Sequence, residues 1–286
     1  MGLVVPAPRW LLVSCPAMQS FASKTIVITG ASDGIGAEIA RQLAPESPRL
    51  VLAARTEDKL NEVAFRCRKA GADILVVPTD VGEQQQCQRL IAQAEERFGS
   101  IDVLINNAGI TMQARFDQIT DLATFEKLMR VNFFGSMWCT HAALPALTRS
   151  RGLVVGVSSL AGKTGVPERT TYCASKFAMS GFFEALRMEL AETGVDVTMV
   201  FPGMVATALR RNGFNSSGER AGVSRWDESA AMSVERCAAL AIEGMRVRRR
   251  DVIMTGKGRL GLKLKAFAPE LIDRLTLKAL TKNPGQ

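Results

Sequence analysis

Short, nearly continuous apolar runs recur along the chain, and between them lie longer stretches in which apolar positions return every three or four residues. The runs are Lys24–Thr29, Leu50–Arg55, Ile74–Val77, Val103–Ile105, Leu153–Val157, Val197–Phe201 and Val252–Met254. Apolar character over so few residues, rich in β-branched side chains, predicts strands buried on both faces. The stretches between them predict helices over Ala37–Leu43, Thr56–Ala70, Glu83–Phe98, about Leu122–Leu147, Tyr172–Ala191 and Ser233–Val247. Seven strands alternating with helices predict an α/β fold: one doubly wound, seven-stranded parallel sheet with right-handed crossovers and helices on both faces.

The residues with chemistry to offer are not spread evenly over this pattern. Gly30, Arg55, Asp80, Asn107, Ser159 and Pro202 each fall just after the carboxyl end of a predicted strand. Ligands bind at that edge in open parallel sheets, and packing alone has no reason to choose one edge. The first of these turns is Gly30-Ala31-Ser32-Asp33-Gly34-Ile35-Gly36, between a strand and a helix. In that context Gly30 permits a tight turn, Gly34 lets the backbone approach a pyrophosphate, and Gly36 lets helix pack on strand. The helix N-terminus offers free N–H groups to phosphate. At the end of the second strand an acid would hydrogen-bond the adenosine ribose of NAD. This chain has Arg55 there, which suits the 2′-phosphate of NADP, or else is a surface arginine opening the next helix. Asp33, close by in the glycine turn, opposes that phosphate.

Composition narrows the field. With 286 residues, 47% hydrophobic and 22% charged, the chain can build a full core. No apolar run is long enough to span a membrane as a helix. The cysteines Cys15, Cys67, Cys87, Cys139, Cys173 and Cys237 have no paired spacing, so neither a disulfide framework nor a zinc site is expected, and a reducing compartment fits. The one histidine, His141, rules out multi-histidine metal sites and is expected near the core of a helix. The net charge of +8 arises entirely between Arg246 and Lys282, which hold 11 basic and 3 acidic residues. A basic stretch without an aromatic stacking platform does not suit nucleic acid.

Tyr172 and Lys176, four apart, share a helix face, and an ammonium near a phenol favours the phenolate. Ser158-Ser159 lies upstream and Pro202-Gly203 downstream. Together with Thr29-Gly30-x-x-x-Gly34-Ile35-Gly36, Asn106-Asn107-Ala108-Gly109, Asn132 and Thr207, these motifs make the chain resemble a short-chain dehydrogenase/reductase from about Lys24 to Met254. The thirteen-residue spacing to Tyr172 selects Ser159 over Ser158.

The resemblance implies a Rossmann domain and an NADP(H)-dependent oxidoreductase that moves a hydride between cofactor and a carbonyl or secondary alcohol, with no metal. It implies catalytic Asn132, Ser159, Tyr172 and Lys176. Tyr172 exchanges the proton, Lys176 lowers its pKa and holds the nicotinamide ribose, Ser159 bonds the substrate oxygen, and Asn132 interrupts its helix and holds a water. It further implies cofactor contacts from Gly30, Ser32, Asp33, Gly34, Ile35, Gly36, Arg55, Asp80, Val81, Asn107, Ala108, Gly109, Tyr172, Lys176, Pro202, Gly203, Val205 and Thr207. A basic residue often found before the second glycine is replaced here by Asp33. The runs Val157–Lys163 and Ser175–Ala178 most resemble members acting on hydroxysteroids, retinoids and other lipids, so a small apolar carbonyl or alcohol substrate is expected. The alternative is a non-catalytic NADP-binding regulatory or scaffold module, which the intact residue set disfavours.

The remaining segments divide the chain into a loose extension (1–20), the catalytic domain (21–256) and a basic extension (257–286). The first segment lacks the long apolar region and cleavage site of a secretory signal, and Met18 is an alternative start. Ala206–Met232, with Leu209, Phe214 and Trp226, reads as an apolar pocket wall or a plain surface lid. Phe133, Phe134, Phe182 and Phe183 exceed what one sheet face needs and suggest a homodimer or homotetramer. After Pro269, Leu271, Ile272, Leu275 and Ala279 share a helix face among basic residues. Segment 257–282 therefore reads as a peripheral membrane contact or as a helix docked on the protein. The expected location is cytoplasmic, with that membrane contact peripheral.

Overall fold

A computed structural model of the protein describes residues 19–222 and 231–281. The strands are β1 (Thr25–Thr29), β2 (Arg49–Ala54), β3 (Asp73–Pro78), β4 (Val103–Asn106), β5 (Leu153–Val157), β6 (Asp196–Phe201) and β7 (Asp251–Ile253). They form one parallel sheet in the order β3-β2-β1-β4-β5-β6-β7. The helices are α1 (Gly34–Leu43), α2 (Glu57–Lys69), α3 (Gln84–Phe98), α4 (Ala123–Met129), α5 (Gly135–Ser150), α6 (Thr170–Glu189), α7 (Val234–Arg246), α8 (Gly256–Phe267) and α9 (Pro269–Thr281). This is the doubly wound fold that the hydrophobic pattern predicts.

Alternation along the strands builds two cores. Ile26, Ile28, Leu50, Leu52 and Val155 face α1, α2 and α7, while Val27, Val51, Leu104, Val154 and Val197 face α3, α5 and α6. Every residue of β1 and of β5 is buried, as a sheet covered on both sides requires. From β1 the chain winds outward to β3, then crosses back to β4 on the other side of β1. The reversal leaves a crevice above the carboxyl ends of β1 and β4, where such sheets bind their ligands.

Two elements differ from the pattern read in the sequence. The single helix expected over Leu122–Leu147 is α4, a π-helical turn Arg130–Phe134, and α5. The wide turn falls on Asn132, whose side chain reaches out to another segment. Helical periodicity of the apolar residues survives such a turn, so the pattern does not reveal it. Beyond β7, α8 precedes the helix expected after Pro269; Gly256, Gly258 and Gly261 mask its helical character.

The C-terminal charge also divides. Arg246 pairs with Glu46, Arg248 with Asp196 at 2.7 Å and Arg250 with Glu184 at 2.8 Å, so these arginines tie down the domain. Of the residues expected in a dimer face, Phe183 is fully buried in its own core and Phe133 and Phe182 pack against that core. Phe134 stacks on Trp138 and is partly exposed.

Candidate active site

The turn after β1 is held by the side chains of Asn107, just after β4, and of Thr29, at the end of β1. Gly30 has φ +65°, and a Cβ there would meet the Ala108 backbone at 2.8 Å. The Asn107 amide donates to the carbonyls of Thr29 at 2.9 Å and Gly30 at 3.1 Å. Thr29 Oγ1 accepts from the backbone N–H groups of Asn107 at 3.0 Å and Ala108 at 3.1 Å. Thr29 is thus a positioning residue that the glycine pattern alone does not identify. Gly36 is buried behind this turn, where a Cβ would collide with the Asn107 amide and sit 2.5 Å from the Gly30 carbonyl. Expected as a cofactor contact, it instead lies outside the cleft and makes room for the strap that shapes it. Asp33 caps α1, accepting from the Gly34 N–H at 2.6 Å.

Above the sheet edge lies a cleft of about 960 Å³. Gly30, Ser32, Asp33, Gly34, Ile35, Arg55, Asp80, Val81, Asn107, Ala108 and Gly109 line it from the β1–β4 side. Ser159, Tyr172, Lys176, Pro202, Gly203, Val205 and Thr207 line it from the β5–β6 side. Arg55 is exposed at the mouth, with Lys59 of α2 one helical turn on. Asp80 shapes its own turn by accepting from the Gly82 N–H at 2.8 Å. Thr207 crosses over the glycine turn, its methyl 3.4 Å from the position a Gly34 Cβ would take.

The β5–β6 side is built from buried polar groups. Asn132 is fully buried behind the cleft wall, on the π-helical turn that interrupts its helix as expected. Its Oδ1 accepts from the Ile110 N–H at 2.8 Å, and its Nδ2 donates to the Ile110 carbonyl and to Ser175 Oγ, both at 2.9 Å. It joins α6 to the segment after β4, and the π-helical turn is what aims it. Ser158 is buried, bonded to Ser180 and to the Lys176 carbonyl, whereas Ser159 lines the cleft together with Tyr172, its Oγ accepting from the Ala161 N–H at 3.2 Å. That places the hydroxyl selected by spacing, and not its neighbour, beside the phenol.

Lys176 is 3% exposed and donates to the Val157 carbonyl at 2.9 Å. Burial pulls its pKa down to about 8. Tyr172 is 6% exposed, and burial raises its pKa; the Arg169 guanidinium and the nearby Ser159 hydroxyl pull it back, with Arg210 adding to the cationic field. Arg169 sits 5.5 Å over the Tyr172 ring and donates to Thr111 Oγ1 at 3.3 Å. The Arg169 guanidinium is thus a cation beside the phenol in addition to Lys176, the one read from the sequence. Arg169 carries no motif of its own, but its position three residues before Tyr172, at the start of α6, puts it one turn away on the same face.

Around Tyr172 lies a third apolar cluster of Met112, Ala114, Leu128, Ala161 and Cys173, with Ile110, Val166 and Phe214 packed against it. Leu209 and Phe214 of the expected substrate loop line the cleft; Trp226 lies outside the described residues. Lys127, Arg210 and Arg220 add positive charge to this wall. His141 is exposed on α5, not near the core. Among the described residues no group of side chains could hold a metal ion, and the cysteines are free and buried.

Two adjoining hydroxyls can hold an oxygen whose charge changes, and the glycine turn leaves room for a phosphate-bearing group at the α1 N-terminus. Comparison with known proteins agrees in kind. The short chain dehydrogenase family profile matches residues 24–217, and the chain belongs to the short-chain dehydrogenase/reductase family. It is an oxidoreductase acting on CH–OH groups. It is 36% identical over 260 residues to the 11-beta-hydroxysteroid dehydrogenase-like 4A of Arabidopsis thaliana, covering 90% of this chain and 85% of that one. It is 35% identical over 266 residues to a Dehydrogenase/reductase SDR family protein 7-like of Dictyostelium discoideum, covering 91% and 83%. Among solved structures it resembles a Burkholderia phymatum short chain dehydrogenase/reductase in complex with NAD, with TM-score 0.79, 25% identity and coverage of 89% and 96%. It also resembles a Thermococcus sibiricus alcohol dehydrogenase complexed with 5-hydroxy-NADP, with TM-score 0.67, 27% identity and coverage of 77% and 88%.

Proposed function

We propose that the protein uses NADP(H) to interconvert a carbonyl and a secondary alcohol on an apolar, lipid- or steroid-like substrate. The observation that carries this reading is the Ser159–Tyr172 hydroxyl pair, set at the cleft within an apolar cluster. The bound dinucleotide supplies or takes up the hydride. Ser159 and Tyr172 hold the substrate oxygen, and Tyr172 gives up or accepts the proton as charge on that oxygen changes. Lys176 and Asn132 keep α6 locked against the segments after β5 and β4, so that the phenol stays in register. Arg55 and Lys59 at the far end suit the 2′-phosphate of NADP, while Asp33, already engaged with the α1 N-terminus, leaves the phosphate to them. The resemblance to relatives named as 11-beta-hydroxysteroid dehydrogenases supports the substrate class. The protein is further read as a homodimer or homotetramer pairing through Phe134, Trp138 and the exposed Phe177 and Met188.

The test is to follow NADPH and NADH oxidation against a panel of aliphatic aldehydes, ketones and oxosteroids. Turnover is expected on apolar ketones with NADPH preferred. No turnover with either cofactor, or a preference for NADH, overturns the reading.

A further inference from the structure

From Gly256 to Lys278 no residue is buried, although the segment forms two helices. α9 packs against α8 and α8 against β7, so among the described residues the hairpin leaves its outer side uncovered. On α8, Leu260, Leu264 and Phe267 fall at i, i+4 and i+7 and share one stripe. Phe267, at the turn into α9, is 90% exposed, and Leu271 and Leu275 continue the apolar surface on α9. Lys257 and Lys263 lie three residues before and three after Leu260, which places them on either flank of the stripe. On α9, Arg274 and Lys278 lie together on one side of Leu271 and Leu275, Arg274 pairing with Glu270 at 4.0 Å, while Asp273 falls on the opposite side of the helix.

We propose that the α8–α9 hairpin docks the protein on a bilayer with anionic headgroups. The apolar stripe enters the acyl boundary, and the flanking lysines and Arg274 meet headgroup phosphates and carboxylates. Charge decides among occupants. The described hairpin carries Lys257, Arg259, Lys263, Lys265, Arg274 and Lys278 against Glu270 and Asp273, a net of +4. Two copies pairing through this face would bring like charges together around an apolar contact, whereas an anionic surface is complementary to both parts of it. Lys265 donates to the Lys163 carbonyl at 3.1 Å and sits 5.8 Å from the Phe177 ring centroid, and Gly258 packs on Leu160, a residue of the cleft wall. Docking therefore brings the membrane surface beside the cleft, where an apolar substrate partitions.

The proposal is tested by flotation of the full-length chain with phosphatidylcholine vesicles and with mixed phosphatidylcholine–phosphatidylserine vesicles, at low and high salt. Two paired variants accompany it, Leu264→Asp with Phe267→Asp and Lys257→Glu with Lys263→Glu, each checked for an unchanged melting temperature. The wild-type chain is expected to float with the mixed vesicles at low salt and to lose most of that binding in high salt. Each variant should lower partitioning roughly tenfold or more. Failure of the wild-type chain to float, equal flotation on both lipids, or unchanged flotation of both variants overturns the proposal. So does a concentration-dependent dimer by sedimentation that the Leu264→Asp, Phe267→Asp chain does not form, which would assign the face to a second copy. None of these readouts depends on the catalytic reading.

Discussion

At the β1–β3 end of the cleft the charged side chains Asp33, Arg55 and Lys59 stand in solvent, and the binding surface is largely backbone. At the β4–β6 end Asn132, Tyr172 and Lys176 are withdrawn from water, and each polar atom of Asn132 and Lys176 has a protein partner. The difference follows from the dielectric. Exposed charges are screened and adapt to a ligand at little cost to the fold, so changes there affect affinity. Buried polar groups must be satisfied within the protein, and their ionisation depends on what surrounds them, so changes there affect turnover, pH dependence and stability together.

The largest effect is expected at the buried end. Tyr172→Phe removes the proton donor while leaving the ring in its apolar cluster. Turnover should fall by about 10²–10⁴-fold with little change in NADP(H) affinity by fluorescence titration. Near-normal turnover in a folded variant would break the contrast at its most important residue.

Arg55→Ala probes the exposed end. Losing a charge-assisted contact to phosphate should weaken NADPH binding by about ten- to a hundredfold relative to NADH, with an unchanged melting temperature. Equal loss for both cofactors, or none, would show that Arg55 is a surface arginine.

Lys176 provides the matching stability measurement. Its folded pKa of about 8 lies below that of a free lysine, so the buried ammonium costs stability in full below pH 8. That cost is relieved as pH rises from 8 toward the ordinary lysine value. Lys176→Met should therefore be more stable than the wild type at pH 7, by about 1–2 kcal/mol after allowing for the Val157 carbonyl left without its donor. The gain should shrink in melts recorded above pH 8. A gain that grows with pH would mean that the lysine is not buried as a cation.

The smallest and most specific effect concerns Arg169. With its guanidinium removed, the largest influence opposing burial is lost and the Tyr172 pKa rises further. In the alcohol-oxidising direction, which needs the deprotonated phenol, the acid limb of the pH–rate profile should move to higher pH in Arg169→Met and return in Arg169→Lys. An unmoved limb would leave Arg169 a packing residue over the ring.

The sequence by itself determined the seven strands, their parallel direction and the edge at which the site lies. Those features rest on local periodicity and on turn residues that mark themselves: Gly30 at positive φ, Arg55 after β2, and Ser159 thirteen residues before Tyr172. Their chemistry depends on nearest neighbours in the chain, so spacing is enough to read it. Tertiary structure decided the rest. Gly36 and Asn132 stand behind the cleft because the partners that define them, Asn107 for one and Ile110 and Ser175 for the other, come from distant segments. The π-helical turn that aims Asn132 leaves apolar spacing almost untouched. The place of Arg169 over the Tyr172 ring, and the turn of Lys176 toward the Val157 carbonyl, are set by how α6 packs on β5. The uncovered stripe on α8 and α9 was decided in the same way. An amphipathic pattern requires an apolar face but does not say what covers it, and only the packed chain shows that, among the described residues, its own domain does not.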